Sequence, residues 1–281
     1  MTGRKLILGL ALLTAGLLAL SGPALAGETP AGWTYLTLGR NFQRILADWR
    51  EPYTGTKQFG ASDRDDMGME GSLGASVCLA RHFKPEIERT WQIGVEAGFF
   101  ALFDWAEGAS LQSRATDYRV GLQVSYSRAP WSWRVSLGHL SSHPGDYHLR
   151  NENSETETVY WEDIRGLLSW QAIDWLRLYA GGAVYLSHTD DAGHGDFQAG
   201  LEFFYPLEDS RLRPYLALDL QLRDRTEWRA TVSVEGGVMV GGFEGQVNLR
   251  LYGFLLNGDD PSAVFCQEET TRYGLGLNID F

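Results

Sequence analysis

The sequence predicts an all-β protein, a transmembrane antiparallel β-barrel of twelve strands, with ten as the alternative count. Three observations predict it. From about residue 67 onward nearly every segment alternates apolar and polar residues, the period of a strand with two unlike faces. The chain ends Tyr273-Gly274-Leu275-Gly276-Leu277-Asn278-Ile279-Asp280-Phe281, apolar or aromatic at every odd position. Beyond the first 26 residues no stretch reaches the 18 or so consecutive apolar residues that cross a bilayer as a helix. If the chain is integral to a membrane, it must therefore cross as a closed barrel, because only helices and closed barrels satisfy every backbone polar group in lipid.

Residues 1–26 read as a secretion signal, with Arg4 and Lys5, an apolar run from Leu6 to Leu20 and a cleavage site at Ala24-Leu25-Ala26. No cysteine lies near that site, so a bacterial lipoprotein anchor is not expected. Removing the signal leaves 22 basic and 36 acidic residues, a net charge of −14, which excludes nucleic acid as a partner. Residues 27–66 form an N-terminal segment in which a first strand and a short helix are candidates, and 67–281 form the barrel.

In chain order, the weakest strand candidate is Trp33 to Arg40, because Phe42, Ile45, Leu46 and Trp49 just after it have helical spacing and suit a small plug or a surface helix. Strands then follow at 67–80, 91–104, 117–128, 131–143, 158–170, 175–187, 197–205, 213–223, 228–240, 243–255 and the terminal segment. In 91–104, Ile93, Val95, Ala97, Phe99, Ala101 and Phe103 share the lipid face, while Gln92, Gly94, Glu96 and Gly98 face the lumen. Trp228, Ala230, Val232, Val234, Val238 and Val240 form another lipid face, joined by Gly241-Gly242 to a strand with Leu249 and Leu251 outward and Arg250 inward. These make eleven, and 33–40 supplies the twelfth, since single-chain bacterial barrels have even counts. A soluble lipocalin-like barrel or a sandwich also alternates, but neither accounts for so wide an apolar outer face.

Short turns at 128–130 and 171–174 belong to the periplasmic end, and the polar stretches 105–116, 144–157, 188–196 and 256–270 to the outside. Tryptophans 91, 131, 133, 170, 175 and 228 fall near strand ends, as interfacial girdles do. Cys78 and Cys266 are placed at opposite ends and are not expected to pair. Lumenal charges of both signs, including Glu70, Glu96, Arg119, Arg134, Asp163, Arg177, Glu202 and Arg250, favour a filled interior over an open pore.

The one constellation suited to chemistry lies on 131–143. Trp131, Trp133, Val135 and Leu137 face lipid, and the same parity carries His139, Ser141 and His143 outward, where polar groups are costly unless they serve a function. His139 and Ser141 are neighbours on one face, and an imidazole beside a serine is what an activated nucleophile requires. On the next strand Glu162 is an acid on the same outward face, opposite 139 if 143 pairs with 158. The candidate catalytic set is Ser141 as nucleophile, His139 as general base and Glu162 as the acid that orients it.

His-x-Ser on an outward strand, followed by an acid or amide, resembles the outer-membrane phospholipase A and the lipid A deacylase families, and implies serine hydrolysis of lipid acyl esters from the barrel's outer face. The chain departs from both in having Ser142 where they carry Asn, which puts the oxyanion donors in doubt. Asn153, twelve residues after Ser141, matches the spacing of their third member and ranks below Glu162. The segments Asp117-Tyr118-Arg119-Val120-Gly121-Leu122 and His139-Leu140-Ser141-Ser142-His143-Pro144-Gly145-Asp146 are similar to an uncharacterised bacterial outer-membrane family, a domain of unknown function.

The plainer reading makes His139 to Asp146 rim and turn chemistry, Pro144-Gly145-Asp146 starting a loop. No cofactor is called for. Calcium is a possible ligand of Asp190, Asp191 and Asp196 with His188 and His194, or of Asp259 and Asp260, though without regular ligand spacing. The expected partners are outer-membrane lipids, phospholipid or lipopolysaccharide, and the barrel-assembly machinery through the strand ending at Phe281. The expected location is the bacterial outer membrane, with a lipid esterase as the leading function and a small-solute channel or a structural envelope protein as the alternatives.

Overall fold

The computed structural model describes residues 31–37, 40–63, 67–106, 110–146, 149, 157–207, 211–241 and 247–280. The strands are β1 (Gly32–Thr37), β2 (Thr54–Ala61), β3 (Gly68–Lys84), β4 (Arg89–Ala106), β5 (Ser110–Arg128), β6 (Trp131–Pro144), β7 (Val159–Ile173), β8 (Leu176–His188), β9 (Gly195–Phe204), β10 (Leu212–Arg223), β11 (Ala230–Gly241), β12 (Asn248–Asp259) and β13 (Glu269–Asp280). From β2 to β13 each pairs antiparallel with its chain neighbours, and β13 returns to β2 with Ile279 opposite Thr54, closing a twelve-stranded barrel. The turns at 129–130 and 174–175 and the end of β13 at Asp280 mark its basal end; the segments 189–194, 224–229 and 260–268 mark its upper end.

The twelfth strand is not the one expected. Trp33 and its neighbours form β1, a thirteenth strand laid on the basal half of β3, with Gly32 opposite Phe83 and Thr37 opposite Cys78. The barrel strand is Thr54–Ala61. Its outward set is Thr56, Gln58 and Gly60, and its inward set includes Lys57 and Phe59, so no apolar-out alternation betrays it. Strand lengths differ as well. β4 and β5 run through most of 105–116, which was expected as loop, and the 260–268 stretch turns inward rather than outside.

The burial pattern is inside out relative to a water-soluble domain. Val184, Leu251 and Leu275 are 60–67% exposed, while Arg250 and Arg272 are 0% exposed. An apolar exterior around a charged interior suits hydrocarbon as the surrounding solvent. A basal aromatic belt accompanies it: Trp91 packs on Tyr126 (4.8 Å) and Trp133 (5.4 Å), Trp131 stacks on Trp170 (5.7 Å), and Trp175 meets Phe203 (5.2 Å).

Two segments fill the lumen. The first, residues 40–53, carries Phe42, Ile45, Leu46 and Trp49 inside the barrel, all buried. It is a plug, and the helical spacing of these residues does not yield a helix, because the wall takes its backbone groups. Glu202 accepts from the Leu46 N–H (2.8 Å), and Arg177 donates to the carbonyls of Gln43 (2.9 Å) and Arg44 (3.0 Å). These are groups that an i→i−4 ladder would otherwise engage. Arg134 holds Glu51 through two bonds of 2.6 and 2.7 Å, and Arg50 reaches Glu70 (2.9 Å) and Asp117 (2.8 Å). The second segment is 260–266 at the upper end, with Ala263 and Phe265 buried. The two meet where Arg50 donates to Ser262 Oγ at 3.2 Å. Cys78, in the basal half of β3, and Cys266, in the upper segment, are not joined in a disulfide.

At the upper end Asp224 accepts from the N–H groups of His194 (2.8 Å) and Gly195 (3.2 Å) and lies 3.1 Å from His194 Nδ1. Burial pushes its carboxyl up, but those donors outweigh it and hold the carboxyl below the usual range. A lowered folded-state value means that the stabilisation is present above the ordinary carboxylate range, about pH 4, and is lost as pH falls through the lowered value. Asp224→Ala is therefore expected to speed hydrogen exchange at His194 and Gly195 about tenfold at pH 6, corresponding to ~1.5 kcal/mol for a charged acceptor. Acidifying the wild type should shrink that difference; a difference independent of pH would refute the assignment.

Candidate active site on the barrel exterior

Strand β6 alternates strictly at its upper half. Leu140 and Ser142 are buried in the lumen at 2% and 0% exposure, so His139, Ser141 and His143 project outward. The pairing with β7 sets His139 opposite Glu162 and Ser141 opposite Tyr160; the pairing with β5 sets Ser141 opposite Tyr118 and His139 opposite Val120. All three residues of the expected set thus share one outer face, with His139 directly across from Glu162.

His139 Nδ1 stands 3.8 Å from Glu162 Oε1, within ion-pair range and longer than a hydrogen bond. The His139 ring lies nearly parallel to that of Tyr160, at 25° with centroids 6.4 Å apart. Side-chain exposures of 44% for His139 and 53% for Glu162 leave both open to whatever surrounds the barrel. Strand rise puts the Cα atoms of His139 and Ser141 about 6.5–7 Å apart on that face. Among the described residues Ser141 Oγ is not hydrogen-bonded to the imidazole.

A bulge shapes the next strand. The pairing of β7 with β8 shifts between Glu162 and Asp163, so Glu162 faces Ser187 where regular pairing would bring Leu186. A hydroxyl-bearing residue thereby stands beside the carboxylate, the kind of re-aiming that bulges perform near functional sites.

The lumenal side of β6 is firmly held. Ser142 Oγ donates to Asp117 and accepts from the N–H of Val264 at 3.1 Å. Leu140 packs with Val159, Trp161 and Ala263. Gly138 faces the Arg119–Asp163 pair, and a Cβ there would meet Asp163 Oδ1 at 2.8 Å, so a side chain at 138 would have to displace that pair. Ser142, standing where the resembled enzymes carry Asn, is therefore a structural anchor with its side chain turned away from the outer face.

Sequence reasoning did not single out Tyr118, Tyr160, Thr158 or Ser187, although parity placed Tyr160 outward. Their closeness to the set follows from cross-strand register, which residue type alone does not encode. Asn153 lies outside the described residues. Among the described residues no group of three His, Cys, Asp or Glu side chains gathers as a metal site. Asp196 pairs with Arg165 (2.5 Å), Asp259 with Arg229 (2.7 Å), Asp260 with Arg272, and His188 meets His194 edge to face at 5.0 Å.

The sequence pattern of a family described as a protein of unknown function (DUF1207) matches residues 30–281. No curated protein matches the chain in sequence. Among solved structures, the outer membrane phospholipase A from Escherichia coli superposes with a TM-score of 0.56 at 15% identity, over 85% of this chain and 93% of that one. The Salmonella typhi outer membrane phospholipase dimer with bound calcium gives a TM-score of 0.54 at 15% identity, with coverage again 85% and 93%. At that identity the likeness is one of fold, that of an outer-membrane barrel.

Proposed function

This chain belongs to the DUF1207 family, and on that premise we propose that it is an outer-membrane serine hydrolase that cleaves acyl esters of membrane lipids from the barrel's outer face. The observation that carries the reading is the outward row Ser141, His139 and Glu162, with Nδ1 of the imidazole toward the carboxylate. Polar groups on a lipid-facing strand are costly, and a nucleophile, base and orienting acid in register give them a use. Fold likeness to a protein named as a phospholipase supports the same reading.

With Nδ1 turned to Glu162, Nε2 is the nitrogen left for Ser141. Ser141 Oγ attacks the ester carbonyl carbon as Nε2 takes its proton. The tetrahedral adduct collapses, the alkoxide of the lysolipid leaves with the proton from Nε2, and the acyl group stays on Ser141. Water, deprotonated by Nε2 of His139, then attacks the acyl-serine; as the adduct collapses the fatty acid leaves and Nε2 returns the proton to Ser141 Oγ. The phenols of Tyr118 and Tyr160, across from Ser141 on either side, are the neutral donors placed to serve the oxyanion. The serine–histidine contact, open here, tightens when substrate is bound, as is common for such pairs.

In the outer membrane the basal end is periplasmic and this row sits at the level of the outer leaflet. A channel finds less support, because 40–53 and 260–266 occupy the lumen.

Fluorophosphonate labelling in detergent tests the proposal. The peptide carrying Ser141 is expected to gain the phosphonyl mass, with loss of fluoride, in the wild type. Glu162→Gln should slow the labelling about 10²-fold, since the imidazole loses the charge that supports its protonated form. Label on any other residue, or equal rates in the two proteins, would sink the reading.

A further inference from the structure

His143 is the third outward side chain of the upper half of β6, and the mechanism above does not use it. It lies one pleat above Ser141 on the same face, toward the upper end, and it is exposed. Its Nδ1 is 3.1 Å from Thr158 Oγ1, and the edge of its ring meets Tyr118 with centroids 5.8 Å apart. That contact engages Nδ1, so Nε2 is the ring nitrogen left for a ligand. The same Tyr118 stands opposite Ser141, so the two positions share one wall.

We propose that His143, held by Thr158, binds the phosphate of a glycerophospholipid whose acyl ester lies at Ser141; this rests on the reading of Ser141 as the nucleophile. The vertical order matches such a lipid seated in an outer leaflet. Acyl chains run down past His139, the ester stands at Ser141, and the headgroup rises toward water at His143. Strand rise separates 141 from 143 by about 6.5–7 Å. Ester carbonyl carbon and phosphorus, five or six bonds apart through the glycerol bridge, lie about 6–7.5 Å apart when extended by standard bond lengths. An N–H donor on a phosphate oxygen is a charge-assisted bond, stronger than one to a neutral acceptor. The substrate class assigned is therefore a phosphate-bearing diacyl lipid rather than a neutral glyceride.

Two measurements test this on the full-length protein in detergent. For hydrolysis, the ratio of kcat/KM on a short-chain glycerophospholipid to that on the matching diacylglycerol is expected to fall about tenfold in His143→Gln and in Thr158→Val. Equal losses on both lipids would make His143 part of the acyl-transfer machinery and overturn the phosphate assignment, as would an unchanged ratio. For binding without chemistry, the 31P linewidth of a diether glycerophospholipid, which has no ester to cleave, is titrated against wild type and His143→Gln. About tenfold weaker binding in the variant is expected, and equal binding would overturn the site. A wild type that hydrolyses neither lipid yet shows that binding difference would remove the esterase reading and leave the phosphate site standing.

Discussion

Replacing Ser141 with alanine is expected to lower fatty-acid release from phospholipid–detergent micelles about 10³-fold or more, with little change in the protein's thermal unfolding. The rate falls because the acyl group then has no acceptor on the enzyme, and neither His139 nor Glu162 can replace one. Stability holds because the Ser141 side chain is outward, whereas its neighbours Leu140 and Ser142 carry packing and hydrogen bonds of β6 into the lumen. The contrast with Ser142→Ala is informative. That change leaves the buried Asp117 and the Val264 N–H each short of a partner, so it should cost stability while keeping the nucleophile. Equal lipid hydrolysis by wild type and Ser141→Ala would eliminate the serine mechanism.

The largest stability effect is expected at Arg50. One guanidinium there meets Glu70 at 2.9 Å, Asp117 at 2.8 Å and Ser262 Oγ at 3.2 Å, and so ties the plug to the wall and to the upper segment. Both carboxylates are at most 1% exposed. Arg50→Met removes the nearer cation from both buried acids, leaving Glu70 with Lys57 at 3.9 Å and Asp117 without its ion pair, which should cost about 3–5 kcal/mol, the range for breaking a buried pair on one side. Urea unfolding, followed by the mobility shift of the folded barrel on cold gels, measures it. Adding Glu70→Gln and Asp117→Asn should recover much of the loss, since the uncompensated charges are then gone. A single-variant change within about 0.5 kcal/mol would show that the network contributes little.

The legible parts of the fold were those in which lipid imposes a period. β6 and β12 up to Asn257 alternate because their outward residues face hydrocarbon, and their side-chain directions followed from parity alone. The pairing of His139 with Glu162 was reachable only on an assumed register, 143 opposite 158, because nothing in the long connection between β6 and β7 fixes it; the strands pair in that register. What escaped was whatever lipid does not touch. β2 faces the plug with Lys57 and Phe59, so its inward side is no more polar than its outward Thr56 and Gln58. The spacing of Phe42, Ile45, Leu46 and Trp49 satisfied a helical template, but these residues are inside because wall side chains grip the backbone between them. The bulge that brings Ser187 to Glu162 leaves no mark in composition, because an extra residue changes the partner without changing the pattern.

The placement of residues 40–53 between β1 and β2 constrains the order in which the molecule can be built. β2 is the strand that seals the ring against β13, and the plug immediately precedes it in the chain. Once that seam has zipped, 40–53 can no longer enter sideways, so it must be captured while the sheet is still an open, curved ribbon. Before capture, Arg134 lacks Glu51 and Glu70 lacks Arg50, while Arg177 has only its wall partners Glu202 and Ser169. The N-terminal segment thus acts as an internal template around which the ribbon curls, and the last step of assembly is the meeting of the two ends of the chain's own barrel.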